Sequence, residues 1–222
     1  MSSQVHQAII RFPEIKLNTR DAHKLRGYFG NLFREYSPLL HNHLESGESL
    51  YKYPLVQYKV LEGVPTLVGL NEGADLLIAM FLNIKELVID ESSYIVFQKN
   101  IESRMVEVGL SNDLYSYKFQ TLWLALNQHN YAAYLNEDEE QRSKHLKAIL
   151  IGNVLSFFKG LNYRAEGAIM ANLKITNQKE TQLKNNAMVA FEAGFISNVV
   201  LPETIGLGKS VSRGFGTIVN NH

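Results

Sequence analysis

Apolar residues recur along the chain in two alternating rhythms. Residues 4–12 carry Val5, Ile9, Ile10 and Phe12, a run of β-formers and large apolar side chains that predicts a first strand. Residues 21–36 change period: Leu25, Phe29, Leu32, Phe33 and Tyr36 fall three and four apart, behind a capping candidate in Asp21 and ahead of Pro38, which predicts a helix. Two further strands, 55–61 and 66–70, flank a turn at 62–65. A short apolar helix follows over 74–82, and then a strand over 86–89.

This β–α–β–β–α–β order over the first 90 or so residues is the ferredoxin-like one, with an antiparallel sheet and both helices on one face. Beyond it, 94–97 and 105–108 read as strands around a polar turn, and 117–125 is apolar without a decisive period. Residues 127–136 and 139–159 read as helices, the latter with a stripe of Leu146, Ile149, Leu150, Val154 and Phe157. Residues 169–176 and 187–196 read as a hairpin, and Ile218 and Val219 as a last strand. The expected fold class is α+β, two tandem ferredoxin-like (RRM-like) domains, over residues 1–91 and 92–222.

Composition narrows the chemistry. The chain has no cysteine, which excludes disulfides, thiolate zinc sites and a cysteine nucleophile. No secretory leader or membrane-length apolar run is legible, so the expectation is a cytoplasmic protein with no membrane association. The 22 basic and 22 acidic residues cancel, which weighs against a phosphate binder, but the charges are unevenly spread. Residues 11–34 hold Arg11, Lys16, Arg20, Lys24, Arg26 and Arg34 against only Glu14 and Asp21, so one basic face on a neutral protein is expected.

Two segments carry candidate chemistry. The first is His41-Asn42-His43, in a loop rich in Ser, Gly and His. In an extended chain the two imidazoles project from the same side. With an ordinary pKa near 6.5, one can be neutral while the other is protonated, as internal phosphodiester attack requires. One takes the proton of a ribose 2′-hydroxyl and the other protonates the departing 5′-oxygen. Tyr51 or Tyr53 could orient an imidazole or the substrate. The residues alone leave two other readings open: ordinary surface histidines, or a zinc site completed by Glu45 or Glu48. His6, His23, His129, His145 and His222 do not cluster and read as structural or surface residues.

The second segment, residues 206–216, holds Gly206, Gly208, Gly214 and Gly216 with Lys209 and Arg213. A Walker loop ending at Lys209-Ser210 would need glycine where Glu203 stands, and a dinucleotide-binding G-x-G-x-x-G would need it at Val211, so both fail. What remains is a loop whose backbone can approach closely and whose amides, with Lys209 and Arg213, could bind phosphate oxygens. A hairpin loop without a ligand is the plain alternative.

LRGYFGNLF (25–33), LLHNH (39–43), YKYPLVQYK (51–59) and GVPTLVGLNEGA (63–74) resemble the N-terminal domain of the b-type branch of CRISPR-associated protein six. GLGKSVSRGFG resembles the C-terminal glycine-rich loop of the wider RAMP superfamily. The resemblance implies two ferredoxin-like domains and cleavage of precursor CRISPR RNA within its repeats, without metal or cofactor, leaving a 2′,3′-cyclic phosphate and a 5′-hydroxyl. It implies His41 and His43 as the acid–base pair with Tyr51 assisting, Tyr53 being the other choice. It also implies Gly206, Gly208, Lys209, Arg213, Gly214 and Gly216 as RNA-binding residues. Repeat RNA is the implied partner, and relatives often form homodimers or join a CRISPR effector complex. A non-catalytic repeat-RNA-binding subunit of such a complex is the alternative, and a nucleotide-binding enzyme a more distant one.

Overall fold

The computed structural model describes residues 2–32, 53–183 and 186–221. It divides into two compact units. The N-terminal unit comprises Gln4–Val106 with Ser212–Gly214, and the C-terminal unit Glu107–Val211 with Phe215–His222 and Met1–Ser3.

The N-terminal unit contains β1 (Ser2–Arg11) from Gln4 onward, α1 (Ala22–Leu32), β2 (Val56–Leu61), β3 (Val64–Leu70), α2 (Glu72–Met80), β4 (Glu86–Ile89), β5 (Ser92–Ile95) and the start of β6 (Asn100–Phe119). β2 and β3 form a hairpin closed by Glu62 and Gly63, whose φ values of 52° and 82° give the two left-handed residues that a tight hairpin turn needs. β3 then pairs antiparallel with β1, Ile9 opposite Val68. Alternation along the strands sends Ile10, Tyr58, Val60 and Leu67 to one face. There they pack with Leu25 and Phe29 of α1 and Leu77 and Met80 of α2. Each of the aliphatic, Phe and Met side chains there contributes about 1.5–3 kcal/mol by leaving water.

One sequence expectation changes here. The strand at 86–89 does not complete the sheet. β4 pairs with β5 in a separate two-stranded sheet, and β6 takes the place beside β1, giving the order β2-β3-β1-β6. Leu87 and Ile89 are instead drawn into the core beneath α1, and Lys24 on α1 reaches both Asp21 at 2.8 Å and Asp90 at 2.5 Å. The expected division of the chain stood at 91/92. The contact units part between Val106 and Glu107, inside β6, since residues 92–106 supply β5 and the β6 segment to the N-terminal unit.

The C-terminal unit contains the rest of β6, α3 (Gln128–Leu135), α4 (Glu139–Gly160), β7 (Ala171–Leu183), β8 (Asn186–Val200) and β9 (Ile218–Asn220). A capping box starts α4: the Asp138 carboxylate accepts from the Gln141 N–H at 2.8 Å and the Gln141 side chain accepts from the Asp138 N–H at 3.0 Å. The helix buries Leu146, Leu150, Val154, Phe157 and Phe158, the expected stripe with Phe158 added and Ile149 at its margin. Tyr117 of β6 lies opposite Phe195 of β8, Leu173 of β7 opposite Phe195 from the other side, and Lys118 opposite Val219 of β9. The strand order is therefore β9-β6-β8-β7. Counted in order of appearance this is 4-1-3-2, the ferredoxin-like arrangement, with residues 206–216 standing where the second helix would be. The expected class, α+β with two ferredoxin-like halves, matches this architecture. The hairpin expected at 169–176 and 187–196 runs longer, through all of β7 and β8.

Lys59, on the sheet face opposite the helices, is fully buried, and burial pulls its pKa down from 10.5 to about 7. Between these two values the unfolded chain holds a proton that the folded chain lacks, so this residue makes stability rise with pH across that window. The difference in Tm between Lys59→Met and the parent is therefore expected to move in the parent's favour from pH 7 to pH 10. Thermal denaturation across a pH series checks this, and a constant gap would contradict it.

Candidate nucleic-acid interface

The glycine-rich segment is fixed from below by aromatic packing. Trp123, wholly buried, stacks on Phe119 at 5.2 Å between centroids and packs against Phe191 at 6.0 Å. Its backbone bonds Phe191 in both directions at 2.9 Å, and its indole N–H donates to Asn153 of α4 at 3.1 Å. On this base the loop is tied by the Lys209 N–H to the Leu124 carbonyl (2.9 Å), the Gly216 N–H to the Leu122 carbonyl (2.9 Å) and the Leu207 N–H to the Gly216 carbonyl (2.8 Å).

The glycines are where this packing leaves no room for a side chain. A β-carbon on Gly216, at φ +64°, would lie 1.9 Å from the Leu207 carbonyl oxygen. One on Gly208, at φ +101°, would lie 2.8 Å from the indole ring of Trp123. Gly206, Gly214 and Gly216 are buried, while Gly208, Lys209, Ser210, Ser212, Arg213 and Phe215 are half-exposed. The glycines thus let the loop lie close against the protein, and the parts it presents outward are the side chains between them.

Lys209 is partly covered, and burial lowers its pKa. Arg213 belongs to the short stretch Ser212–Gly214 that groups with the N-terminal unit, where Gly214 sits against Ala22, the first residue of α1. Burial, and then the like charge of Arg26, both work against the Arg213 charge. Ala22 and Arg26 are four apart and share one face of α1. The two guanidiniums therefore concentrate positive charge on that face of the helix. Sequence reading counted Arg26 among the basic residues of the first helix but had no means of pairing it with Arg213, 187 positions away.

His41, His43 and Tyr51 lie outside the described residues. Tyr53, the other phenol considered, is 8% exposed, and its hydroxyl accepts from the Gln57 side-chain amide at 2.8 Å. Among the described residues, no group of three or more His, Asp or Glu side chains is placed to hold a metal ion, and no helix is long and apolar enough to cross a membrane.

Comparison with known proteins covers the chain almost end to end. Residues 4–107 match the Cas6b N-terminal domain and residues 109–221 the Cas6b C-terminal domain. A solved structure described as Cas6b superimposes with a TM-score of 0.92 at 35% identity, over 99% of this chain and 100% of that one. A second, described as the CRISPR RNA processing endoribonuclease Cas6b, gives 0.80 at 32% identity, over 99% and 100%. An uncharacterized protein of Methanocaldococcus jannaschii, MJ0978, is 34% identical over 140 residues, 63% of this chain and 95% of its own length. An RAMP protein that binds different RNA substrates shares the fold at 10% identity and a TM-score of 0.55, over 99% of both chains.

The glycine packing gives a direct expectation. Gly216→Ala should cost about 2–4 kcal/mol, because the β-carbon cannot coexist with the Leu207 carbonyl. Gly152→Ala in the middle of α4, where nothing lies within 4 Å, should be neutral or stabilise by up to about 1 kcal/mol. Denaturant titration of the two variants against the parent measures both.

Proposed function

The chain belongs to the Cas6b family, and from that membership we propose that it is an endoribonuclease that processes precursor CRISPR RNA by cutting within the repeats. What carries the reading is the pair of family matches at 4–107 and 109–221, together with the likeness to a Cas6b structure over almost its whole length. The relative described as a CRISPR RNA processing endoribonuclease supplies the reaction class.

The chemistry we assign is transesterification. One imidazole of the pair His41 and His43 removes the proton from a ribose 2′-hydroxyl. The oxygen attacks the adjacent phosphorus, the bond to the 5′-oxygen breaks, and the other imidazole donates the proton that the leaving oxygen needs. The products are a 2′,3′-cyclic phosphate and a 5′-hydroxyl. Each transfer contributes roughly 10²–10⁴ in rate. The charge balance needs no metal ion, because the imidazolium supplies the proton and neutralises the departing oxygen. Tyr51 is the assisting phenol. The burial of Tyr53 and its bond with Gln57 favour Tyr51 for that role.

Binding falls to the basic side chains held by the glycine loop. Lys209 and Arg213 contact phosphates, and the close packing of Gly206, Gly208, Gly214 and Gly216 sets where they stand. Local concentration of positive charge offsets the zero net charge, since the phosphate backbone responds to the field over about one Debye length, roughly 10 Å, rather than to the sum over the molecule.

Replacing both His41 and His43 with alanine is expected to cut single-turnover cleavage of the cognate repeat by at least about 10³-fold while repeat binding stays within a few-fold. Full activity in that double variant refutes the assignment. Cleavage should persist in EDTA and stop on a repeat with a 2′-deoxy sugar at the scissile position. Binding without product in the parent protein would instead make it a non-catalytic repeat-RNA-binding subunit. Arg213→Ala should weaken binding about 5–20-fold and lower the slope of log affinity against log salt by about one, read by fluorescence anisotropy at several salt concentrations.

A further inference from the structure

Three side chains from three elements of the N-terminal unit meet in an order that the RNA chemistry does not use. The His6 Nδ1 lies 2.9 Å from a carboxylate oxygen of Asp75, on α2, and its Nε2 lies 2.8 Å from the hydroxyl of Ser103, on β6. The residues are 69 and 97 positions apart from His6, so only the fold assembles them. Since a carboxylate only accepts, the neutral form of the imidazole has its hydrogen on Nδ1, which leaves the Nε2 lone pair facing the serine hydroxyl. His6 is fixed through its backbone as well: its N–H donates to the Asn71 side-chain oxygen at 3.2 Å, and its carbonyl accepts from the Asn71 N–H at 2.8 Å. Asn71 in turn accepts from the Asp75 N–H at 3.1 Å, so the imidazole and its carboxylate partner hang from one backbone turn. The imidazole is 26% exposed, while Ser103 stands on the surface within reach of an outside molecule.

We propose that Ser103 is an activated nucleophile, with His6 as its general base and Asp75 positioning the imidazole, and that this second site is acylated by small activated carboxylic esters. The Ser103 oxygen attacks the ester carbonyl as its proton passes to His6 Nε2. The bond from carbonyl carbon to the leaving oxygen breaks, and that oxygen takes the proton from His6, leaving an acyl ester on Ser103. Water then attacks the ester, giving one proton to His6, which returns it to the serine oxygen, and the acid is released. Nucleophile to base and base to orienting carboxylate both lie at hydrogen-bonding distance, the two contacts such a relay requires. Asp75 is 70% exposed, and the site adds general-base assistance alone, so the acceleration falls near 10², at the low end of what such assistance gives, and the substrates are esters with good leaving groups.

The test is independent of RNA. The full-length protein is incubated with a fluorophosphonate probe and with p-nitrophenyl acetate, and the tryptic peptide 100–104 is examined by mass spectrometry. The expected result is a covalent adduct on Ser103, formed about 10²-fold faster than on any other serine. It should be absent in Ser103→Ala, which replaces an exposed hydroxyl and should leave fold and repeat cleavage intact. It should be slowed about 10²-fold in His6→Asn. Asp75→Asn should slow it as well and Asp75→Glu restore part of the rate, a rescue that a merely structural contact would not give. No adduct on Ser103 in the parent, or an equal rate in the folded His6→Asn variant, overturns the proposal and leaves the cluster as a bridge fastening α2 to the sheet. Neither outcome bears on the histidine-pair reading, which is tested on RNA.

Discussion

A single carbonyl oxygen sets the terms for the glycine-rich segment. Leu207 presents it at 1.9 Å from where any side chain on Gly216 would begin, and the same pressed contact recurs between Gly208 and the buried indole of Trp123. In a ferredoxin-like unit the fourth strand is normally reached through a helix, which carries its own hydrogen bonds. Here residues 206–216 replace that helix with irregular backbone, so the bonds must be found elsewhere. They come from Leu122, Leu124 and the loop itself, and they are reachable only because the backbone lies flat against its support.

On the proposed reading, this packing is what lets a neutral chain carry a basic interface. Long side chains on a flexible loop would lose rotamer freedom on meeting a phosphate, at roughly 1 kcal/mol each. Lys209 and Arg213 are already half-covered and hang from a backbone held on both sides, so part of that entropy is lost during folding. Arg213 and Arg26, whose like charges disfavour one another, hold positive potential together on one face of α1. An anion there relieves repulsion as well as gaining attraction.

Much of the fold could be read from periodicity. The stripe in α4 and the β2–β3 hairpin follow from local pattern, and α+β with two ferredoxin-like halves follows from element order. The strand that closes the N-terminal sheet could not be read this way. Residues 86–89 and 105–108 both read as strands, and the choice is made by which segment pairs with β1, a contact across some ninety residues that leaves no local trace. For the proposed interface, the four glycines and two cations stand out in the sequence as candidates, but how they pack does not. The Trp123 base, the Asn153 bond and the Arg26–Arg213 pair are all products of tertiary approach. The proposed catalytic pair rests on spacing and family resemblance, as His41 and His43 fall outside the described residues.

β6 runs for 20 residues with one register shift against β8, between Leu110 and Tyr115, and the passage from one unit to the other falls in its interior. Most multidomain chains join their parts by loops, which can lengthen, shorten or recombine without damage. Here the junction is strand backbone, so an insertion of one residue near position 107 would reverse the facing of the side chains between it and the register shift at Leu110–Tyr115. The two halves can therefore diverge by substitution but resist being exchanged as modules, and lineages carrying this architecture are expected to inherit them as a pair.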